Sequence, residues 1–203
     1  EKLILSKKKD FRVSSARFAN VAFSNGSLLD GFLNRLIKKQ PLSCPNDIKR
    51  FFVTPEQSGQ ICLIATFLGK SGDIFFPKLD FNKDQIYFKD IAIQFLHKKS
   101  FKPVIVQSEK EAKEYDIVNN PGKYPIYFFK TDTSGEKFYE ELYTEEEDYK
   151  LNVYNSLGYV VSNDVVISFE KLIADFKEVF NKSNIDKKNI IKIIKKYFPN
   201  FKH

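Results

Sequence analysis

Apolar residues recur along the chain at two spacings, and these spacings predict an alternation of strands and helices. The segment from Phe11 to Val21 is rich in β-branched and aromatic residues and predicts a buried strand, which Gly26 terminates. Apolar positions then recur at helical spacing and predict a helix over residues 28–37, closed by Pro41. The first hundred residues read as strand, helix, helix, strand, helix, strand, which is typical of α/β proteins.

The remaining elements follow from the same spacings and from residues that begin or end helices. Thr54-Pro55-Glu56-Gln57 is a helix start in which Thr54 caps and Gln57 can reach back to the cap. Asp186 is a second candidate cap, for the last helix. The other predicted elements are strands at 73–77, 103–107, 125–131 and 159–167, and helices over 88–96, 169–180 and 190–198.

The composition predicts a soluble globular protein without membrane spans. The 203 residues are 42% hydrophobic and 29% charged, and no apolar run approaches the ~20 residues that span a bilayer. The first ten residues are rich in lysine and lack the apolar stretch of a signal peptide, so we expect a cytoplasmic protein. Cys44 and Cys62 are too few for a disulfide framework and predict reduced thiols.

The sequence contains no methionine, and this bears on where the chain begins. Glu1-Lys2-Leu3-Ile4-Leu5 has the pattern of the last turns of an amphipathic helix. We therefore expect a fragment of a longer protein, with removal of an initiator methionine as the alternative. The net charge of +7 could attract nucleic acid, a phosphorylated ligand or an anionic membrane, but lysines spread over solvated faces explain it as well.

Several common catalytic signatures are missing from the sequence. It has no Gly-x-Gly-x-x-Gly, no P-loop and no Cys-x-x-Cys pair. Its two histidines are His97, on a predicted helix beside lysines, and the terminal His203. A Ser-His-Asp arrangement or a histidine-rich zinc site therefore has little support.

Polar residues cluster where the first predicted strand ends and the next helix begins. Asn20 closes the strand, at the end where open α/β sheets bind ligands, and its amide can donate to a phosphate or sugar oxygen. Gly26 and Ser27 lead into a helix whose N-terminal N–H groups could bind an anion, although a plain turn also explains them. Arg17 is open to two interpretations, a structural salt bridge or a ligand contact, because a buried arginine needs a partner.

Two further candidates lie later in the chain. Arg50, in a predicted loop between helices, can hold a diphosphate through paired hydrogen bonds. The neighbouring Phe51 and Phe52 could stack on a base, although burial in the core is the more common outcome. Glu136 follows a predicted strand, where a carboxylate can accept hydrogen bonds from ribose hydroxyls; an ordinary hairpin is the alternative.

Taken in order, these segments resemble the C-terminal half of the capsule and lipopolysaccharide biosynthesis dehydratases. These are extended short-chain dehydrogenase/reductase enzymes, typified by UDP-N-acetylglucosamine 4,6-dehydratases. The matching segments are Arg17-Phe18-Ala19-Asn20-Val21, Asn25-Gly26-Ser27-Leu28-Leu29, Arg50-Phe51-Phe52-Val53-Thr54, Gly72-Asp73-Ile74-Phe75, Gly135-Glu136-Lys137-Phe138-Tyr139-Glu140-Glu141-Leu142 and the closing Tyr197-Phe198-Pro199.

The resemblance implies an α/β fold, the C-terminal portion of an extended Rossmann-like short-chain dehydrogenase/reductase with a small substrate-binding subdomain and a helical tail. Residues 1–100 would complete the Rossmann-like core and carry substrate-site segments. Residues 101–160 would form the substrate-binding subdomain, and residues 161–203 the helical C-terminal tail.

The resemblance also implies the chemistry. Relatives bind NAD or NADP mainly through an N-terminal half and use a Tyr-x-x-x-Lys pair, which this sequence would not contain. No catalytic or metal-binding residue is expected within it, so the fragment alone would be inactive even if the parent protein is an enzyme. The residues that carry over as nucleotide-sugar contacts are Asn20, Gly26, Ser27, Arg50 and Glu136. Homo-oligomerisation of the full-length protein is implied in the same way.

The sequence departs from the family's pattern at two places and leaves alternatives open. Ala19 replaces a glycine, and Thr133-Ser134 replaces an Arg-Pro pair, which removes a phosphate-binding arginine that nearby Lys130 could replace. A nucleotide-sugar epimerase or reductase, or a non-catalytic assembly protein, therefore remains an alternative. A basic nucleic-acid-binding module would also explain the charge and the 15% aromatic residues, although no motif of such a module is present.

Overall fold

The computed structural model describes residues 1–6, 10–132, 140–162, 168–181, 185–199 and 201, and it shows a mixed α/β arrangement. The helices are α1 (Lys2–Leu5), α2 (Leu28–Ile37), α3 (Pro55–Leu68), α4 (Phe88–Lys98), α5 (Glu109–Glu114), α6 (Phe169–Phe180) and α7 (Lys187–Tyr197). The strands are β1 (Ser15–Ala16), β2 (Asn20–Val21), β3 (Leu42–Pro45), β4 (Lys49–Arg50), β5 (Phe52–Val53), β6 (Asp73–Pro77), β7 (Ile86–Tyr87), β8 (Lys102–Val106), β9 (Lys123–Phe129), β10 (Tyr149–Lys150) and β11 (Leu157–Val161).

The strands form two larger sheets and two short pairs. One sheet has the order β1-β6-β11-β10, with β1 parallel to β6 and the other pairs antiparallel. The other has the order β3-β9-β8 and is parallel throughout. The short pairs are β2 with β5, which are parallel, and β4 with β7, which are antiparallel. Both larger sheets therefore combine strands from before and after residue 100.

The core lies on the faces of these sheets. Phe32 and Phe95, from α2 and α4, pack with Leu42 and Ile126 of the parallel sheet. Phe76 is fully buried on one face of β6 together with Phe51 and Val160, while Phe75 packs with Ile61 of α3 on the other. Each sheet thus has one side covered by helices, which is how the predicted α/β class buries its apolar residues.

The first predicted strand is wrong in its extent. It is two strands of two residues each, because the chain crosses from one sheet to another between Ala16 and Asn20. β1 pairs with β6, whereas β2 pairs with β5. Arg50 is also not in a loop, since β4 pairs it with Ile86. The sequence pattern shows only that the segment is apolar, and both pairings depend on residues far along the chain.

The predicted helix starts are confirmed. The Thr54 hydroxyl accepts from the Gln57 N–H at 3.1 Å, and the Gln57 side chain accepts from the Thr54 N–H at 2.8 Å, which is the expected capping box. Asp186 caps α7 by accepting from the Lys188 N–H. Of the last predicted strand, residues 163–167 lie outside the described residues. Both cysteines are free, and burial raises the pKa of Cys44 to about 12.

Candidate functional site

Asn20 lies at the start of β2, and its side chain is held on two sides. Its backbone N–H donates to the Phe51 carbonyl at 3.1 Å, and its side-chain amide donates to the same carbonyl at 3.2 Å. The amide also donates to Oε2 of Glu140 at 3.2 Å. Because both side-chain bonds use the amide nitrogen, the side-chain carbonyl oxygen is the group through which Asn20 could accept from a ligand hydroxyl.

Gly26 and Ser27 form the turn that begins α2. Gly26 has a φ of 76°, a left-handed conformation that glycine adopts without strain. The Ser27 hydroxyl caps the helix by accepting from the Asp30 N–H at 3.2 Å. The Asp30 carboxylate accepts from the Gly26 N–H at 3.1 Å. One donor of the predicted anion site is therefore already used by an acidic side chain of the protein.

Three of the predicted residues line one small cavity. Asn20, Gly26 and Ser27 surround a space of about 210 Å³, together with Val21, Ser24, Asn25, Leu28, Phe52 and Phe88. We call this space the Asn20 cavity. Sites that enclose a whole drug-sized ligand have roughly 300–1,000 Å³. The Asn20 cavity is therefore large enough for part of a ligand, such as a phosphate group or a single sugar substituent.

Arg50 lies beside the Asn20 cavity. Its guanidinium carbon is 6.0 Å from the centre of the Phe88 ring, which is one wall of the cavity, and its Nη1 donates to the Lys49 carbonyl at 2.7 Å. The β4–β7 pairing places this arginine opposite Ile86, two residues before Phe88. The structure thus brings Asn20, Gly26, Ser27 and Arg50 to one region, although β2, α2 and β4 are separate in sequence.

Glu140 is a site residue that sequence reasoning did not select. Its carboxylate accepts from the Asn20 amide and from the Phe51 backbone N–H, and it lies near the Arg50 guanidinium. Partial burial raises the pKa of Glu140, although the Phe51 hydrogen bond and the Arg50 charge oppose the rise. A half-buried carboxylate with a raised pKa beside an arginine is a common feature of functional sites. The signal was available, because Glu140 occupies a glutamate position of the same resemblance motif as Glu136.

A second, mostly apolar cavity has Glu140 in its wall. It has a volume of about 400 Å³, and its walls include Phe51, Phe76, Leu142 and Tyr143, with Glu140 among its polar residues. Phe51 and Glu140, which wall this cavity, are also the partners of Asn20. The candidate site therefore has a polar part and an apolar part that meet at the hydrogen bonds joining these three residues.

Arg17, Lys130 and His97, which the sequence also singled out, are not among the residues that line the Asn20 cavity. Arg17 is a structural residue, because it donates to Glu1, to Glu147 and to the Leu142 carbonyl. Lys130 lines another cavity, at the carboxyl ends of β3 and β9. The Glu136 prediction and the Thr133-Ser134 departure lie outside the described residues. His97 is exposed on α4, as expected.

Replacing Glu140 by Gln is expected to change how stability depends on pH. The folded protein raises the pKa of this group above its ordinary 4.5, so the folded state binds more protons than the unfolded state between the two values. The contribution of Glu140 to stability is therefore fully present below about pH 4.5 and is lost as the pH rises through the folded pKa. Glu140→Gln has no carboxyl group to titrate at this position, so its stability should not show this decrease as the pH rises.

Urea unfolding measured from pH 4 upward tests this expectation. Glu145→Gln, at an exposed glutamate nearby, is the matched control and should follow the wild-type profile. Superimposable profiles for wild type and Glu140→Gln would show that Glu140 has the same proton affinity in both states.

Comparison with known proteins shows what the chain is similar to. Residues 2–162 match the family described as "Polysaccharide biosynthesis protein". The chain belongs to this family. The coarse family predicted from the motifs is thereby confirmed, and with it the association with polysaccharide biosynthesis. The match ends before α6, so it covers the Asn20 cavity, Arg50 and Glu140 but not the two C-terminal helices.

Two known proteins are similar to this member of the polysaccharide biosynthesis family. It is 30% identical over 145 residues to an uncharacterized membrane protein of Methanocaldococcus jannaschii, covering 71% of this chain and 38% of that protein. It also resembles the X-ray structure of Pen from Bacillus thuringiensis, with a TM-score of 0.59 and 22% identity over 79% of this chain and 45% of the other. The second likeness concerns the fold alone. The chain spans less than half the length of either relative.

Neither a membrane-spanning helix nor a metal-binding group is found in the described part of the chain. None of its helices is long and apolar enough to cross a membrane. Within the same residues, His, Cys, Asp and Glu side chains form no group of three that could hold a metal ion.

Proposed function

We propose that this chain carries the nucleotide-sugar-binding part of a dehydratase of the UDP-N-acetylglucosamine 4,6-dehydratase type, acting in surface polysaccharide biosynthesis. The observation that supports it is the convergence of Asn20, Gly26 and Ser27 on one cavity, with Arg50 beside it. The sequence motifs alone indicate these same four residues as nucleotide-sugar contacts. Family membership supports the same conclusion at the level of the process.

The proposal gives each residue a chemical task. Arg50 would neutralise and orient the diphosphate, because guanidinium groups pair with phosphate oxygens through two parallel hydrogen bonds. The first turn of α2 would add backbone donors, with Asp30 turning away from Gly26 when the anion enters. Asn20 and Glu140 would bind hydroxyl groups, and Glu136 would bind the ribose.

The cofactor is assigned to another part of the protein. Dinucleotides bind at a glycine-rich turn between a strand and a helix, and the sequence of this chain has no Gly-x-Gly-x-x-Gly. NAD or NADP would therefore be bound mainly by the N-terminal half of the full-length protein. Homo-oligomerisation of the full-length protein and its cytoplasmic location stay predictions.

Arg50→Ala is expected to weaken UDP-N-acetylglucosamine binding about tenfold or more, because hydrogen bonds to charged groups contribute roughly 1.5–3 kcal/mol. Isothermal titration of the full-length protein, with its cofactor, measures the effect. Arg12→Ala is the matched control, since Arg12 is exposed and donates to the Thr66 carbonyl away from the cavity. Equal affinities for both variants would refute the role given to Arg50.

Turnover separates the dehydratase from its alternatives. The full-length protein with NAD or NADP should convert UDP-N-acetylglucosamine to a 4-keto-6-deoxy product. Binding of the nucleotide sugar without any product would favour the non-catalytic assembly protein. Failure to bind any common nucleotide sugar would contradict the proposed function itself.

A further inference from the structure

The parallel sheet β3-β9-β8 has an incompletely covered face that the proposed function does not use. Side chains alternate along β9, so Phe128 packs toward the core shared with α2 and α4, while Tyr127 and Phe129 are on the opposite face. On that face the side chains of β9 become more exposed toward the carboxyl end of the strand. Pro125 is fully buried, Tyr127 is half-buried, and Phe129 is 36% exposed. The rings of Tyr127 and Phe129 lie 6.1 Å apart, with 33° between their planes, and form an aromatic platform.

A cavity of about 700 Å³ lies at this platform, at the carboxyl ends of the three strands. Its polar walls come from the ends of all three strands and the segments that follow them. They are Ser43, Asn46, Gln107, Glu109, Lys130 and Asp132. We call this space the platform cavity. The carboxyl edge of a parallel sheet is where α/β proteins most often bind ligands.

The backbone around the platform cavity is held in place. The Asn46 N–H donates to the Phe129 carbonyl at 2.9 Å, and the Thr131 N–H donates to Asp47 at 3.2 Å, so the segments after β3 and β9 are joined. The Gln107 N–H donates to Glu111 of α5 at 2.7 Å, which fixes the segment after β8. A cavity on such a framework needs little ordering when a ligand enters.

Six polar side chains line the platform cavity. Five of them have no hydrogen bond or ion pair through their side chains to another described residue. They are Ser43, Asn46, Gln107, Lys130 and Asp132. Glu109 instead pairs with Lys113 at 2.6 Å. Hydroxyl, amide, ammonium and carboxylate groups thus surround two aromatic rings.

We propose that the platform cavity binds a neutral saccharide. A sugar ring has an apolar C–H face that stacks on an aromatic ring, and hydroxyl groups that exchange hydrogen bonds with amides and carboxylates. Two neighbouring rings would accept two successive sugar units. Asp132 and Lys130 balance each other and Glu109 pairs with Lys113, so the described walls carry no excess positive charge to attract a polyanion such as nucleic acid. The volume falls within the roughly 300–1,000 Å³ of small-molecule sites.

Ligand-observed NMR and isothermal titration with N,N'-diacetylchitobiose, cellobiose and maltotriose test this proposal on the complete chain. At least one of these sugars should bind, and Phe129→Ala should weaken it about tenfold, the value of one aromatic contact. Phe67→Ala is the matched control, because Phe67 is 74% exposed on α3 and lines none of these cavities. Gln107→Ala, at an exposed residue, tests the polar side of the site with little risk to folding.

Three results would overturn the saccharide site. They are no binding of any of the three sugars, wild-type binding by both Phe129→Ala and Gln107→Ala, and displacement of the bound sugar by UDP or by a short oligonucleotide. The test is independent of the proposed function. Arg50→Ala should leave sugar binding unchanged, while Phe129→Ala should leave the binding of UDP-N-acetylglucosamine at the Asn20 cavity unchanged.

Discussion

Replacing Arg17 by Met is expected to lower the free energy of unfolding by about 2–3 kcal/mol, because it would leave partly buried acceptors without their donor. The guanidinium donates to Glu147 at 2.6 Å, to Glu1 at 2.8 Å and to the Leu142 carbonyl at 3.0 Å. The side chains of Arg17 and Glu147 are only 23% and 27% exposed. These bonds join the residue that follows β1 to the segment that precedes β10, and Met keeps the unbranched stem of the side chain while removing the guanidinium and its charge.

The pH dependence of the same variant identifies the cause. Burial would raise the pKa of Glu147, but hydrogen bonds from Arg17 and Thr144 lower it below its ordinary 4.5 overall. Glu147 therefore contributes stability that is present above about pH 4.5 and is lost as the pH falls through the folded pKa. Arg17→Met should remove this acid-dependent loss.

Urea unfolding at pH 7 and at pH 3 provides the measurement. Arg17→Lys is the matched control for charge. It should recover only part of the stability, because an ammonium cannot hold three acceptors in the planar geometry of a guanidinium. A loss in Arg17→Met that is the same at both pH values would mean that packing, and not the ion pairs, holds β1 in place.

The helices were predictable from the sequence because their signals are local. The capping box at Thr54 and the cap at Asp186 each involve residues within three positions of one another. Helix α5 was missed because its six residues are mostly charged, and only Ala112 among them is buried. It is held by the sheet and by its Ser108 cap, with no apolar stripe for a periodicity argument to detect.

The strand pairings and the Arg17 contacts depend on residues far apart in sequence. Arg17 bonds to Glu147, 130 positions later. The acidic run from Glu145 to Asp148 has the composition of a solvated surface, and three of its members are exposed. Glu147 is the exception, and it is the member that pairs with Arg17. No local pattern distinguishes it from its neighbours.

The candidate site shows the same division between local and distant information. The helix start at Gly26 and Ser27 was predictable because it is a local feature, whereas Asn20 begins β2 and does not close a strand as predicted. Glu140 was missed because its importance comes from contacts with Asn20 and Phe51, 120 and 89 positions earlier. Arg50 was selected from its chemistry and stays a prediction, whereas the strand pairing that places it beside Phe88 needed the structure.

Phe76→Ala is expected to destabilise the protein more than Arg17→Met does, at about 3–5 kcal/mol. The ring has no exposed surface, lies on the central strand β6 and stacks on Tyr143 with 4.7 Å between ring centres. It packs in the cluster that also holds Phe51. Loss of the ring would therefore leave a cavity beside Phe51, whose carbonyl accepts from the Asn20 amide. Calorimetry and urea unfolding of the variant measure the loss.

Gly158 provides the control that tests this packing from the opposite side. It faces Phe76 across the β6–β11 pair, and a Cβ atom there would lie 2.6 Å from Cζ of the ring. Gly158→Ala should therefore cost about 1–3 kcal/mol by overpacking. Because the clash is with the tip of the ring, the same substitution should cost less in a Phe76→Leu background, with a coupling of roughly 1 kcal/mol between the two sites. Additive costs in this double-mutant cycle would show that the absence of a side chain at Gly158 serves the other close contact of that Cβ position, at Leu151, and not the aromatic ring.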